Sequence, residues 1–153
     1  MKNETSGDAF ALHEALRGVR VELSVLNHHV GALVGVRDTD FDCLDLVSIH
    51  GPISPGALAR LAGVHPATMT GVLDRLERGG WITRERDAQD RRAVVVRTRA
   101  DRDEEVQRLY DGINRRVTGI RSTLDDAELA VVIDVLRRVE AAARDAVAEL
   151  AED

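Results

Sequence analysis

A chain of 153 residues with 44% hydrophobic and 31% charged side chains is long enough for one domain with helical extensions to bury a core, which excludes disorder and a fibrous repeat. Aromatic residues make up only 3%, against base-stacking platforms, and the single cysteine, Cys43, can neither staple a monomer nor build a Cys-rich zinc site. The net charge of −6 repels phosphate on average, yet residues 1–53 carry 4 basic and 8 acidic side chains, residues 54–100 carry 9 and 5, and residues 101–153 carry 8 and 14.

All nine cations of that central basic island are arginine, the side chain suited to bidentate contact with phosphate and guanine. Because 20 of the 21 basic residues in the chain are arginine, the placement of the charge is informative and the choice of arginine is not. The opening residues, MKNETSGDAF, lack the apolar core of a signal peptide. The longest uncharged apolar stretch, Leu23 to Val36, has 14 residues and contains Asn27, His28 and His29, too short and polar for a membrane span. A cytoplasmic location with no membrane partner is expected.

From about Asp8 to Val36, Phe10, Leu16, Val19, Leu23, Leu26, Val30 and Leu33 recur at helical steps and predict one long amphipathic helix. Thr39 reads as the cap of a second helix with Asp40 and Asp42 in its first turn and Phe41, Leu44, Leu46, Val47 and Ile49 on its buried face; Gly51-Pro52 stops it. The alternation of Asp38, Asp40 and Asp42 is no calcium loop, since Cys43 stands where glycine is required and Ile49 where glutamate is.

Ser54-Pro55 caps a short helix through Leu58, Leu61 and Ala62 that ends at Gly63. His65-Pro66 starts the next, whose inner face is Met69, Val72, Leu73 and Leu76 and whose end is Gly79-Gly80. Two helices about a glycine-containing turn make a helix-turn-helix candidate. Trp81 to Arg86 and the Val-rich Arg92 to Thr98 then read as two strands around a polar tip, an arginine-bearing hairpin. Helix, turn, helix and basic hairpin describe a winged helix-turn-helix, in which the second helix enters the major groove and the wing lies against backbone or minor groove.

Two further helices follow, from about Ala100 to Ser122 and from a capping Asp125, with an acid three residues on, through Leu150. The apolar stripes of the three long helices are too extensive for one small winged domain to cover and are expected to bury one another across a two-fold axis. The fold expected is mainly α with a small β wing: an N-terminal dimerisation helix over residues 1–36, a winged DNA-binding domain over 37–99 and C-terminal dimerisation helices over 100–153.

The order of these elements, the segment from Ser54 to Ala62, that from Pro66 to Ile82 and above all Asp87-Ala-Gln-Asp-Arg-Arg-Ala-Val-Val-Val-Arg resemble the MarR family of bacterial transcriptional regulators across nearly the whole chain. The family's wing carries an Asp-x-Arg element, matched here by Asp90-Arg91-Arg92, in which the acid helps hold an arginine that reaches the minor groove. The resemblance implies a homodimer on a pseudo-palindromic double-stranded operator, usually a repressor, often released by a small, frequently aromatic or phenolic, anionic ligand. The chain departs from the family pattern at Gly71, where many members carry a larger polar residue, and at His65, which caps where Ser or Asp is usual.

The residues support DNA contact independently. The wheel from Pro66 to Arg78 puts Ala67, Thr70, Gly71, Asp74, Arg75 and Arg78 opposite the apolar stripe, so no large apolar group obstructs approach to the groove floor. Thr68 and Thr70 can meet base edges, Arg75 can reach guanine or phosphate, and Arg92 and Arg91 are expected to make the groove insertion and the adjacent phosphate contact respectively. Arg84, Arg86 and Arg97 can contact the backbone or pair with acids that set the wing. The expected DNA-binding set is therefore Pro66, Ala67, Thr68, Thr70, Gly71, Arg75, Arg78, Arg84, Arg86, Asp90, Arg91 and Arg92, with half-sites about one helical turn apart.

His13, His28, His29, His50 and His65 show no metal-ligand spacing on one helix face, so neither a metal nor any other cofactor is expected. His28 and His29 lie on the first long helix, which in relatives helps frame a ligand cleft, and are the candidate ligand-binding residues. Cys43 sits beside Asp42 and Asp45, anions that oppose a reactive thiolate, and reads as a buried small hydrophobe; in the redox-sensing branch of the family the reactive cysteine lies early in the first helix, where this chain has none. The chain has no phosphate loop, nucleophile elbow or paired catalytic carboxylates, and an enzyme is not expected. The competing reading is a helical protein–protein interaction module that has lost DNA binding, motivated by the acidic flanks.

Overall fold

A computed structural model of the chain describes residues 2–88, 90 and 92–152, with side chains from residue 7 to residue 150 except at 89 and 91. The elements are α1 (Lys2–Val34), α2 (Asp38–His50), α3 (Pro55–Leu61), α4 (Pro66–Arg78), β1 (Ile82–Arg86), β2 (Val94–Thr98), α5 (Ala100–Arg121) and α6 (Asp126–Glu152). The mainly helical architecture with a small β wing is the one expected.

Helix α1 stops two residues short of the expected end because Gly35 adopts φ +72, a left-handed conformation that glycine accepts without cost, and the Val36 N–H returns to the Gly31 carbonyl at 2.9 Å. Helix α2 begins at Asp38, so Thr39 is not its cap. The capping position falls to extended Arg37, whose side chain makes no capping hydrogen bond while its carbonyl accepts from Phe41 N at 2.8 Å. Helix α1 begins at Lys2, ahead of the expected Asp8, while the starts of α3, α4 and α6 follow their sequence signals. Ser54 accepts from Ala57 N at 3.2 Å, the His65 Nδ1 accepts from Ala67 N at 3.2 Å, and Asp125 and Glu128 form a reciprocal capping box at 2.8 and 3.0 Å.

Strands β1 and β2 pair antiparallel with Ile82 opposite Thr98 and Arg86 opposite Val94. The inner edge of β2 is closed by Ile53, which exchanges both backbone hydrogen bonds with Val96. The core lies between α2, α3, α4 and the strands: Phe41, Val47, Leu58, Met69, Val72, Leu73, Leu76, Ile82 and Val96 are all almost fully buried. Of α5 only Val106 is buried, and none of the described residues of α6 is. Phe10 and Leu33 on α1, Ile120 on α5, and Val131 and Leu150 on α6 are each more than 60% exposed.

The inner face of α4 is expected to be the most sensitive to truncation. Leu76→Ala should cost about 2–5 kcal/mol, because its neighbours cannot collapse fully into the space left behind. The check is a shift in the urea midpoint at fixed protein concentration, with the denaturant slope unchanged.

Candidate nucleic-acid interface

Helix α4 is amphipathic in the plainest sense: Met69, Val72, Leu73 and Leu76 are each 1% exposed, while Pro66, Ala67, Thr68, Thr70 and Arg78 are exposed on the side away from the core. Pro66 occupies the first helical position, where its missing N–H is no loss. The Thr70 hydroxyl donates to the Pro66 carbonyl at 3.1 Å, so its proton is committed to the backbone while its oxygen can still accept. Gly71 is half-buried. The outer face is small and polar at its start and cationic at its end.

Arg75 is placed differently from the sequence expectation of an outward cation. Its Nε donates to Asp40 Oδ2 at 2.7 Å and its Nη2 to Asp40 Oδ1 at 2.6 Å, a bidentate pair across the α2–α4 contact. The Asp40 side chain is 5% exposed and that of Arg75 37%. Hydrogen bonding to Asp40 is the first cause that raises the Arg75 pKa above its ordinary value. The sequence places Asp40 in the first turn of its helix without revealing its burial or its partner, although a signal is there: it shares one helical stripe with Cys43, Leu44 and Val47, all buried, and a carboxylate on a buried stripe requires a cationic partner.

The wing is braced in the same manner. Arg84 on β1 donates to Asp74 at 2.6 Å and pairs with Glu77 at 3.1 Å, so it ties the strand to the second half of α4. Arg97 pairs with Glu85 across the strands at 3.4 Å. At the tip, Asp87 accepts from Asp90 N at 3.2 Å and Asp90 accepts from Arg92 N at 2.9 Å, side chain to backbone bonds that fold the turn. Arg86 and Arg92 are exposed on the hairpin, and Arg91 lies outside the described residues. At the base of the wing Arg102 of α5 stacks over the Trp81 ring, 4.3 Å from its centroid.

A separate cleft of about 340 Å³ opens between α1 and α2, lined by Arg20, Leu23, Ser24, Asn27, His28, Asp38, Phe41 and Asp42. His28 lines it and bonds Asp38 through Nδ1 at 2.9 Å; His29 does not line it, and its Nδ1 bonds the Val25 carbonyl at 2.8 Å. Behind the cleft, Tyr110 donates to Asn27 Oδ1 at 2.6 Å and Asn27 donates to Asp45 at 3.4 Å. Burial, then the charges of Asp42 and Asp103, push the Asp45 carboxyl up to about 6. Burial, then Asp40 and Asp42, push the Cys43 thiol up to about 11, opposite to what a reactive thiolate needs. Among the described residues, no group of His, Cys, Asp and Glu could hold a metal ion, and no helix is long and apolar enough to cross a membrane.

The raised Asp45 pKa sets a pH dependence. Its folded value lies above the unfolded one, so the folded state is favoured when Asp45 is protonated and loses that stability as pH rises through about 6. Asp45→Asn should therefore be more stable than the parent at pH 8 by about 1 kcal/mol, since solvent screens this half-buried group, with the difference vanishing near pH 4. Thermal midpoints of both proteins across that range test it.

A family model described as the MarR family matches residues 36–94, the stretch from the end of α1 to the start of β2. The HTH-type transcriptional regulator YcgE of Bacillus subtilis (strain 168) is 36% identical over 74 residues, 48% of each chain, so this chain spans about half the length of that curated relative in the match. The transcriptional regulator Tm0710 of Thermotoga maritima superposes with a TM-score of 0.62 at 27% identity, covering 86% of this chain and 93% of its own. FabT of Streptococcus pneumoniae, solved in complex with DNA, shares the fold with a TM-score of 0.63 at 22% identity, covering 90% of this chain and 98% of its own. YcgE and Tm0710 are both described as transcriptional regulators. The helix-turn-helix of α3 and α4 and most of the two-stranded wing lie inside the segment that matches the MarR family model, and the chain shares the winged-helix fold of these structures.

Proposed function

We propose that the protein is a sequence-specific double-stranded DNA-binding transcriptional regulator that works as a homodimer. The observation that carries this reading is the outer face of α4: Ala67, Thr68 and Thr70 leave room for a groove floor, Arg78 follows at the helix end, and the exposed Arg86 and Arg92 stand on the adjoining wing. Helix α4 takes the major groove, and the tip from Asp87 to Arg92, including Arg91, takes the flanking minor groove. The exposed apolar faces of α1, α5 and α6 form the dimer, with residues 1–36 and 100–153 as its dimerisation segments and 37–99 as the DNA-binding unit. The acidic flanks then lie away from DNA and limit nonspecific binding.

In its finer form the proposal is a repressor on a pseudo-palindromic operator, released when a small aromatic or phenolic anion enters the α1–α2 cleft, where Arg20 supplies the cation and His28 part of the wall. Such a ligand acts through its differential affinity for two separations of the recognition helices.

Selection from a pool of random duplexes should enrich a dyad-symmetric sequence, and fluorescence anisotropy should show binding to it that weakens steeply with salt. Arg78→Ala and Arg92→Ala should each lower affinity for every duplex and reduce the salt slope of the dimer by about two, one contact being lost from each protomer. Failure to enrich any sequence, with no affinity for DNA at low salt, would move the assignment to the protein–protein interaction module. The dimer is tested apart from DNA: light scattering should give about twice the 16.8 kDa chain mass.

A further inference from the structure

Two ion pairs cross the recognition helix in opposite senses. Arg75 reaches from α4 to Asp40 on α2, and Arg84 reaches from β1 to Asp74 and Glu77 on α4. The first is the more constrained, because both Asp40 oxygens are engaged, at 2.6 and 2.7 Å, and the carboxylate is buried on an apolar stripe. The guanidinium runs back alongside position 71, where a Cβ would lie 3.5 Å from Nη1, in ordinary van der Waals contact.

A carboxylate and a guanidinium so joined form a neutral unit with little attraction for a phosphate backbone. Their geometry does other work. The apolar stripe fixes how far α4 sits from the core but resists rotation about the helix axis only weakly, since slightly rotated apolar contacts bury similar area. A planar fork held at two points on a buried partner does resist rotation.

We infer that Asp40 and Arg75 are positioning residues for DNA readout: Asp40, acting through Arg75, sets the rotation of α4 about its axis, and Arg75 is not itself a phosphate contact. The inference rests on the proposed DNA-binding function and assigns specificity to a residue pair of which one member is buried beneath the recognition helix.

The test uses the full-length protein, the duplex selected above and a scrambled duplex, each across a salt series. Asp40→Asn removes the compensating charge and releases Arg75 towards phosphate. The salt slope of the dimer should steepen by about two, one contact per protomer, and the preference for the selected duplex should fall roughly tenfold. A loss of fold would not steepen a salt slope, so the slope separates positioning from a merely structural role. The double variant Asp40→Leu with Arg75→Met replaces the pair by apolar side chains and is expected to stay folded by circular dichroism. Its salt slope should equal the parent's while its sequence preference falls. If Asp40→Asn does not fold, the double variant decides alone. A double variant with a slope shallower by about two would place Arg75 of both protomers on phosphate and overturn the inference, as would variants with undiminished sequence preference. A parent protein with no affinity for any duplex would overturn the DNA-binding reading together with it.

Discussion

The burial of one face of α4 is the interaction on which the rest of the structure depends. A helix of 13 residues is marginal by itself, and α4 holds its shape because Met69, Val72, Leu73 and Leu76 are enclosed by α2, α3 and the strands. The same burial forces everything polar on α4 outward or sideways. Thr68, Thr70 and Arg78 take the outward direction; Asp74, Arg75 and Glu77 take the sideways one, towards the wing or towards α2. Apolar contact thus supplies adhesion and ion pairs supply angle, a division that follows from the non-directional character of the one and the directional character of the other.

That division changes the meaning of the basic island. Counted along the chain, nine arginines against five acids look like a surface prepared for phosphate. In space, Arg75, Arg84, Arg97 and Arg99 each bond a carboxylate, to Asp40, to Asp74 and Glu77, to Glu85 and to Asp101 respectively. Arg78 at the end of α4 and Arg92 on the hairpin are exposed. A net charge of −6 and exposed arginines at the end of α4 and on the wing are therefore compatible, because much of the remaining arginine content of the island is bracing.

The helix-turn-helix and the wing were legible in the sequence because their signals are local. Ser54-Pro55, His65-Pro66 and Asp125 are caps that bond within three residues, and the α4 stripe is a matter of helical period alone. The start of α2 falls two residues ahead of the expected one because its capping position, Arg37, carries no capping side chain to mark it, whereas Thr39 does. The ion-pair bracing was not legible as a pairing. Asp40 and Arg75 are 35 positions apart, and only the packing of α2 on α4 makes them neighbours. Likewise, the sequence marks His28 and His29 alike, and only the helix angle separates the one that lines the cleft from the one bonded to its own backbone.

The short bridge between Ile53 and Val96 has a geometric consequence for the wing. Val96 gives its N–H to Ile53 at 2.8 Å and receives the Ile53 N–H at 3.1 Å, so the middle of β2 is fastened to the chain just ahead of α3 as well as to β1. A slip of β2 by one residue would break both bonds and turn the exposed Arg97 into the core. The hairpin therefore behaves as a strut of set length, five residues at about 3.3 Å each or some ~16 Å. Changes in the tip sequence alter what the strut presents at its end while leaving its reach from α4 the same.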